Sequence, residues 1–96
     1  MNQIVQSSRY ADWFAGLRDA KTRAIINARV RRLELGNAGD SEPVGEGVSE
    51  MRIPHGAGYR VDFVQRGIEV IVLLGGGSKA SQAKDIKAAL ALARTI

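Results

Sequence analysis

The run of residues 68–74 constrains the fold of this chain more than any other segment. All of its residues except Glu69 are apolar, so both faces of a β-strand formed from it are apolar. Such a strand is stable in the interior of a sheet that is covered on both sides. The sequence therefore predicts a sheet in which residues 68–74 form a central strand.

Two helical stripes precede this strand. The first recurs at the spacing of one helix face and consists of Tyr10, Trp13, Phe14 and Leu17. The second consists of Ile26, Val30 and Leu33. Ser8 is placed to cap the first helix, and Gly36 is suited to end the second. Residues 19–21 leave room only for a tight connection, so the sequence predicts an antiparallel helical hairpin.

Two segments after these helices alternate apolar and polar residues, as half-buried strands do. Their inward-facing residues are Ser49, Met51 and Ile53 in one and Tyr59, Val61 and Phe63 in the other. Residues 54–58, which include two glycines, are predicted to join them as a tight hairpin loop. Residues 36–43 are turn-forming types and are predicted to be a surface loop.

The end of the chain predicts a final helix. Residues 75–77 are glycines that are expected to end the sheet, and Ser81 is placed to cap the helix that follows. The residues spaced to pack against the sheet are Ala83, Ile86, Leu90 and Ala93. The predicted fold class is α+β, in the order β-α-α-β-β-β-α, with a mostly antiparallel sheet packed against the N-terminal helical hairpin.

Length and composition limit the classes of protein to which the chain can belong. Its 96 residues, of which 45% are hydrophobic and 25% charged, suit one domain over residues 1–96. It has no cysteine, and its single histidine is His55, so no metal site and no cofactor are expected. No apolar run reaches the roughly 20 residues that cross a bilayer, so no membrane partner is expected and the cytoplasm is the expected location.

Charge is segregated along the chain, whose formal net charge is +4. Residues 33–50 carry five acidic and no basic side chains, whereas both flanking segments are basic. A basic balance favours a polyanionic partner. The candidates for contact with an RNA backbone are Arg29, Arg31, Arg32 and Lys84. A solvated outer helix face explains the run of arginines about equally well.

Arg52 and Arg60 are the candidates for chemistry. If Met51 and Val61 face the helical hairpin, both arginines lie on the opposite, open face of the sheet. Antiparallel pairing across the loop brings the two guanidinium groups together, and like charges held close need an anion or a carboxylate. The sequence therefore predicts an anion site at this position, with carboxylates of the same face as the competing partners: Glu50 and Asp62.

His55 and Lys79 complete this cluster. Guanidinium groups stabilise the charge that develops on a phosphoryl oxygen, and Lys79 adds a further positive charge. Imidazole is the side chain whose ordinary pKa suits proton transfer near neutral pH. The four residues are typical of metal-free RNA cleavage. The alternative is that the arginines are salt-bridged and the histidine is solvated.

Two other motifs are interpreted as structural. Residues 75–79 lack the spacing of a phosphate-binding loop and are interpreted as a flexible exit from the strand. Tyr10, Trp13 and Phe14 could stack on bases, but their helical spacing favours a place in the core.

The motifs in combination resemble a known family. Residues 45–63 have the sequence GEGVSEMRIPHGAGYRVDF. Further matching segments are Trp13-Phe14, Leu17-Arg18-Asp19, residues 29–40, and residues 73–79 with Gln82, Lys84, Asp85 and Ile86. Together they cover nearly the whole chain and resemble the RelE/ParE toxin superfamily, most closely the branch of addiction-module killer proteins related to HigB toxins.

This resemblance implies the toxin of a type II toxin–antitoxin system with a RelE-like fold. It implies an endoribonuclease that inhibits translation by cutting messenger RNA on the ribosome, with a cognate antitoxin protein, the ribosome and the message as partners. The role of polarising the scissile phosphate falls on Arg52 and Arg60, and Lys79 follows at the strand exit. An acidic antitoxin segment is expected to bind the basic face of the toxin.

The chain departs from the pattern of this branch at three positions. Ala57 replaces a proline, Asp62 an aromatic residue and Ser78 an aspartate. Loss of the aromatic residue removes a potential base-stacking partner, and loss of the aspartate removes a potential proton carrier. Two alternatives stay open: a ParE-type protein that inhibits DNA gyrase without catalysis, and a decayed toxin that only binds its antitoxin.

Overall fold

The computed structural model describes residues 1–96 and has an α+β fold built on one five-stranded sheet. The strands are β1 (Gln3–Gln6), β2 (Ser41–Gly45), β3 (Val48–Ile53), β4 (Tyr59–Arg66) and β5 (Val70–Gly77). The helices are α1 (Ser8–Ala15), α2 (Ala20–Glu34) and α3 (Gln82–Ala93), and a short 3-10 turn, Lys79–Ser81, precedes α3. The order across the sheet is β1-β5-β4-β3-β2, and only the β1–β5 pair is parallel. None of the helices has the length and apolar character that a membrane span requires.

The sheet is covered on both faces, and β5 lies in its interior. Residues of α1 and α2 share one buried cluster with the sheet, which contains Tyr10, Ile26, Leu33, Met51, Ile53, Val61, Phe63, Ile71 and Leu73. The opposite face packs against α3 in a second cluster, which contains Val48, Val64, Leu74, Ala89 and Ala93. The prediction of an apolar central strand is therefore confirmed, and the prediction that Tyr10 belongs to the core is confirmed as well.

The caps of the helices differ slightly from the prediction. Ser7, rather than Ser8, caps α1, because its hydroxyl accepts the backbone N–H of Tyr10 at 3.1 Å. Asp19 caps α2 and accepts the backbone N–H of Lys21. Along α3, the predicted packing of Ala83 is wrong, since Ala83 is exposed and Ala89 is buried in its place.

The strand β2 was not predicted, since residues 36–43 were expected to be a loop throughout. Ser41 pairs with Met51 and Glu42 with Glu50 in an antiparallel ladder. The strand lies at the edge of the sheet, where Pro43 is tolerated because an edge strand leaves one side of its backbone unpaired. The turn-forming composition of this segment therefore did not indicate that it forms a strand.

The glycine run ends the sheet, as predicted, but it does so as part of β5 and not as a flexible exit from the strand. Gly76 and Gly77 are the last residues of β5 and pair with Val61 and Arg60 of β4. A Cβ atom at Gly76 would overlap with the ring of Trp13, and one at Gly77 would overlap with the carboxylate of Asp85. The glycines are present because α1 and α3 approach this strand too closely for any side chain.

We expect Gly76→Ala to lower the free energy of unfolding by about 3 kcal/mol, since overpacking a rigid aromatic ring typically costs 1–3 kcal/mol or more. Gly75→Ala is the matched control. Its Cβ would meet Nε of Arg9 at 2.9 Å, and that flexible side chain can move aside. Urea unfolding of both variants measures the difference. Equal losses of stability would contradict the proposed contact between Gly76 and Trp13.

Candidate functional site

Arg52 and Arg60 are neighbours across the β3–β4 hairpin, as the sequence predicts. Their Cα atoms are register partners. Both residues line one cavity of about 220 Å³, together with Asp40, Ile53, Pro54, Gly58 and Tyr59. We call this the arginine cavity. It gives two guanidinium groups access to one ligand.

Carboxylates already contact Arg52. One of its terminal nitrogens is hydrogen-bonded to Glu42 Oε2, and its Nε lies 3.9 Å from Asp40 Oδ1. Both carboxylates are well exposed, and exposed ion pairs contribute at most about 1 kcal/mol. An incoming phosphate can therefore replace them at low cost.

Arg60 has a different partner, the buried carboxylate of Glu50. The distance from Nη1 to Glu50 Oε1 is 3.3 Å, and Gln82 Nε2 donates to both oxygens of Glu50 at 3.1 and 3.2 Å. Glu50 is only 3% exposed. This contact holds Arg60 in place beneath α3, on the face of the sheet that both residues share.

Both arginines keep unused hydrogen-bonding capacity. The Nε atoms of Arg52 and Arg60 are buried and have no hydrogen-bond partner. Buried donors of this kind are rare in folded proteins.

The face that carries these arginines is not open, contrary to the prediction, because α3 covers much of it. Asp62 is 2% exposed, so a side chain at this position lies beneath α3 and cannot stack on an exposed base. Burial, with the nearby charges of Glu50 and Asp85, raises the pKa of the Asp62 carboxyl to about 7. Its Oδ1 has no hydrogen-bond partner.

Asp85 links this buried group to α1. It accepts a hydrogen bond from Ser81 Oγ at 2.5 Å and lies 3.5 Å from Nη2 of Arg9. A cavity of about 630 Å³ lies beside this ion pair. Sequence reasoning missed Arg9 and Asp85 as partners, because only the folded chain brings α1 and α3 to the same strand.

Lys79 lies at the rim of the arginine cavity. Its backbone N–H donates to the carbonyl of Ala57 at 3.2 Å, and its Cβ lies close to Gly58, which lines the cavity. Its side chain is exposed. The structure thus brings Lys79 to the same end of the sheet as the two arginines.

His55 lies on the other side of the hairpin loop, facing α2. Its Nε2 is 3.1 Å from Thr22 Oγ1, and the Thr22 hydroxyl donates to Asp19 Oδ2 at 2.7 Å. A carboxylate can only accept, so the Thr22 oxygen must accept the proton of His55 Nε2. Nε2 is then the donor of this contact, and Nδ1 is the ring nitrogen that remains for a ligand.

His55 lines a second cavity of about 380 Å³, which we call the α2 cavity. The two cavities share Ile53 and Pro54 in their walls. The four predicted catalytic residues are therefore divided by a ridge formed by these two residues: Arg52, Arg60 and Lys79 lie on one side and His55 on the other.

The four RNA-binding candidates are also placed differently from one another. Arg29 donates to the backbone carbonyls of Arg52 and Ala38 at 2.7 and 3.3 Å, and Arg31 is paired with Glu34. Arg32 and Lys84 are exposed, and their side chains make no hydrogen bond or ion pair. Arg29 thus fixes α2 to the hairpin, whereas Arg32 and Lys84 are free to bind a ligand.

Sequence reasoning missed several partners of the site. Glu42 lies in β2, whose composition is that of a loop, and nothing in the sequence connects Thr22 with His55. No group of three or more histidine, cysteine, aspartate or glutamate side chains is placed to hold a metal ion.

Comparison with known proteins gives one relative. The chain is 40% identical over 94 residues to a protein of Haemophilus influenzae that is described only as uncharacterized. The match covers 98% of this chain and 95% of that protein. No protein-family model matches the chain.

We expect Asp62 to make stability fall as the pH rises. Its pKa is about 7 in the folded protein and 3.8 ordinarily, so between these values the folded protein holds a proton that the unfolded chain has lost. The free energy of unfolding then falls from about pH 4 to pH 7, by up to about 1.4 kcal/mol per pH unit, and levels off above.

Asp62→Asn should remove this fall, so that the variant gains stability over the wild type as the pH approaches 7. Urea unfolding between pH 4.5 and 8 measures the difference. Glu69→Gln, at an exposed turn position, is the control. A constant difference between Asp62→Asn and wild type at every pH would contradict the assigned titration.

Proposed function

The chain belongs to the same family as the Haemophilus influenzae protein, and we propose that it is the toxin of a type II toxin–antitoxin system. In this proposal it is an endoribonuclease of the RelE/ParE superfamily that arrests translation by cutting messenger RNA on the ribosome. It acts in the cytoplasm and is neutralised by a cognate antitoxin protein. The motifs at residues 45–63 and 73–79 are the basis for this assignment.

The fold class supports the proposal. The sheet is mostly antiparallel, α1 and α2 lie between β1 and β2, and α3 follows β5, which is compatible with the fold that the RelE resemblance implies. The additional strand β2 lies at the edge and extends this arrangement without interrupting it.

The observation that carries the proposal is the pair of guanidinium groups in the arginine cavity. Arg52 and Arg60 are register partners, and they line the same cavity. A phosphodiester oxygen can accept hydrogen bonds from both groups at once. As the phosphorus becomes five-coordinate, their positive charge stabilises the additional negative charge.

The reaction in this proposal requires no metal ion. The ribose 2′-oxygen forms a bond to phosphorus, the bond from phosphorus to the 5′-oxygen breaks, and the products are a cyclic phosphate and a 5′-hydroxyl. His55 Nδ1 accepts the 2′-hydroxyl proton, and the departing 5′-oxygen takes a proton from solvent. Lys79 supplies positive charge at the rim of the cavity.

One observation favours a second candidate, a non-enzymatic inhibitor of the ParE type. Arg60 is tied to the buried Glu50, and His55 lies across the ridge from both arginines. If the arginines only stabilise the fold, induction of the chain would raise DNA damage signalling before protein synthesis falls. A decayed toxin would cause neither response and would still bind its antitoxin.

We expect Arg52→Ala to reduce RNA cleavage by about 10²- to 10³-fold, the usual cost of removing one donor to a transition-state oxyanion. Arg94→Ala is the control, because it also removes one positive charge from an exposed ion pair, far from the cavity in sequence. Arg52 is preferable to Arg60, whose removal would leave Glu50 buried without its cation. Mapping RNA 5′ ends after induction measures cleavage. Equal cleavage by both variants would reject the catalytic assignment.

We expect Thr22→Val to slow cleavage by about 10²-fold without weakening RNA binding, since His55 then loses the partner that fixes its proton on Nε2. Thr22→Ser keeps the hydroxyl and should restore the rate. Single-turnover cleavage and RNA affinity are measured for both variants. If valine and serine give the same rate, the Asp19–Thr22–His55 chain does not orient a proton acceptor.

A further inference from the structure

The α2 cavity has the composition of a nucleotide site. Its apolar wall is formed by Ile25, Ala28, Ile53 and Pro54, and its polar groups are Arg29, Arg32 and His55. Its volume of about 380 Å³ lies within the usual range for small-molecule sites. An apolar wall beside cationic groups suits a ligand that combines a ring with an anion.

Charge favours an anionic ligand. No acidic side chain lines the α2 cavity, and the side chain of Arg32 has no partner. Arg29, by contrast, already donates hydrogen bonds to two backbone carbonyls. Arg32 is therefore the free cation of this cavity.

Position favours a nucleotide over another anion. The α2 cavity and the arginine cavity share Ile53 and Pro54, so a chain that places a phosphate in the arginine cavity can continue over the ridge. The next nucleotide of the same strand then lies in the α2 cavity. The ribose that joins the two positions comes to lie beside His55.

We propose that the α2 cavity binds the nucleotide on the 5′ side of the cleaved phosphate. The base lies against Ile25 and Pro54, the 5′-phosphate binds Arg32, and the 2′-hydroxyl faces Nδ1 of His55. The assignment of the 5′ side rests on the proposed function, whereas nucleotide binding in this cavity does not.

The test is an NMR titration of the 96-residue chain with nucleoside 5′-monophosphates, ribose 5-phosphate and inorganic phosphate. The monophosphates should shift the amide signals of Ile25, Ala28 and His55. They should bind at least tenfold more tightly than inorganic phosphate, because each tenfold requires only about 1.4 kcal/mol from the apolar wall. Equal affinity for inorganic phosphate, or shifts confined to other surfaces, would overturn the proposal.

Two pairs of variants sharpen the test. Ala28→Trp fills the cavity from an exposed position on α2, and Asn27→Trp places the same side chain on an exposed position that does not line it. Arg32→Ala removes the free cation, and Lys87→Ala removes an exposed cation of α3. Ala28→Trp and Arg32→Ala should each weaken nucleotide binding about tenfold, with the controls unchanged. If Ala28→Trp does not fold, the nucleotide affinity of Arg32→Ala alone tests the proposal.

An acidic peptide is the competing occupant. If a peptide of alternating glutamate and leucine shifts these signals and the nucleotides do not, the cavity binds a protein partner and the proposal is wrong. The test separates nucleotide binding from RNA cleavage. If the wild type binds nucleotides in the α2 cavity but cuts no RNA, the proposed function is wrong and the binding site stands. If the wild type cuts RNA, and Ala28→Trp binds nucleotides and cuts RNA equally well, the α2 cavity is not the binding site.

Discussion

The close approach of two helices to the end of β5 is the contact on which the rest of the structure depends. Gly76 leaves room for the ring of Trp13 on one face, and Gly77 leaves room for Asp85 on the other. Because α1 and α3 meet the strand at consecutive residues, β5 passes almost directly into the turn that contains Lys79. The backbone of that turn is hydrogen-bonded to Ala57 and so fixes the hairpin loop. The arginine cavity is a consequence of this packing, since its rim is formed where the loop and the turn meet.

The same packing buries charge. When α3 covers the sheet, the carboxylates of Glu50 and Asp62 are removed from water, and burying an unpaired charge is costly. Glu50 is compensated by Arg60 and Gln82, whereas Asp62 keeps an unpaired oxygen and a raised pKa. A pair such as Glu50–Arg60 adds little net stability compared with apolar packing. Its effect is positional, because it holds one guanidinium at the wall of the cavity while Arg52, with its exposed partners, stays adjustable.

The local pattern of apolar and polar residues predicted those features of the fold that depend on residues close together in sequence. The alternation around Met51 and Val61 correctly placed β3 and β4, and the length of the loop correctly predicted that Arg52 and Arg60 are register partners. The errors concern features that depend on distant residues. Composition made β2 resemble a loop, because an edge strand needs few apolar residues. The glycines of β5 resembled a strand exit because their partners, Trp13 and Asp85, lie in α1 and α3, and the sequence does not show where these helices pack. The direction of His55 toward Thr22 could not be deduced, since either face of a hairpin loop is open to a side chain.

In the proposed enzyme, the separation of His55 from the arginines by Ile53 and Pro54 sets where the scissile linkage has to lie. In a phosphoryl transfer the attacking and departing oxygens lie roughly in line, on opposite sides of the phosphorus. A proton acceptor for the 2′-hydroxyl must therefore lie beside the phosphate and away from the groups that neutralise its equatorial oxygens. A histidine within the arginine cavity would compete with the phosphate for the same space. The ridge keeps His55 outside that cavity, and its contact with Thr22, which donates to Asp19, fixes the orientation of the ring. In a protein that only blocks its target the same separation has no chemical role, so RNA cleavage is the property that distinguishes the two proposed functions.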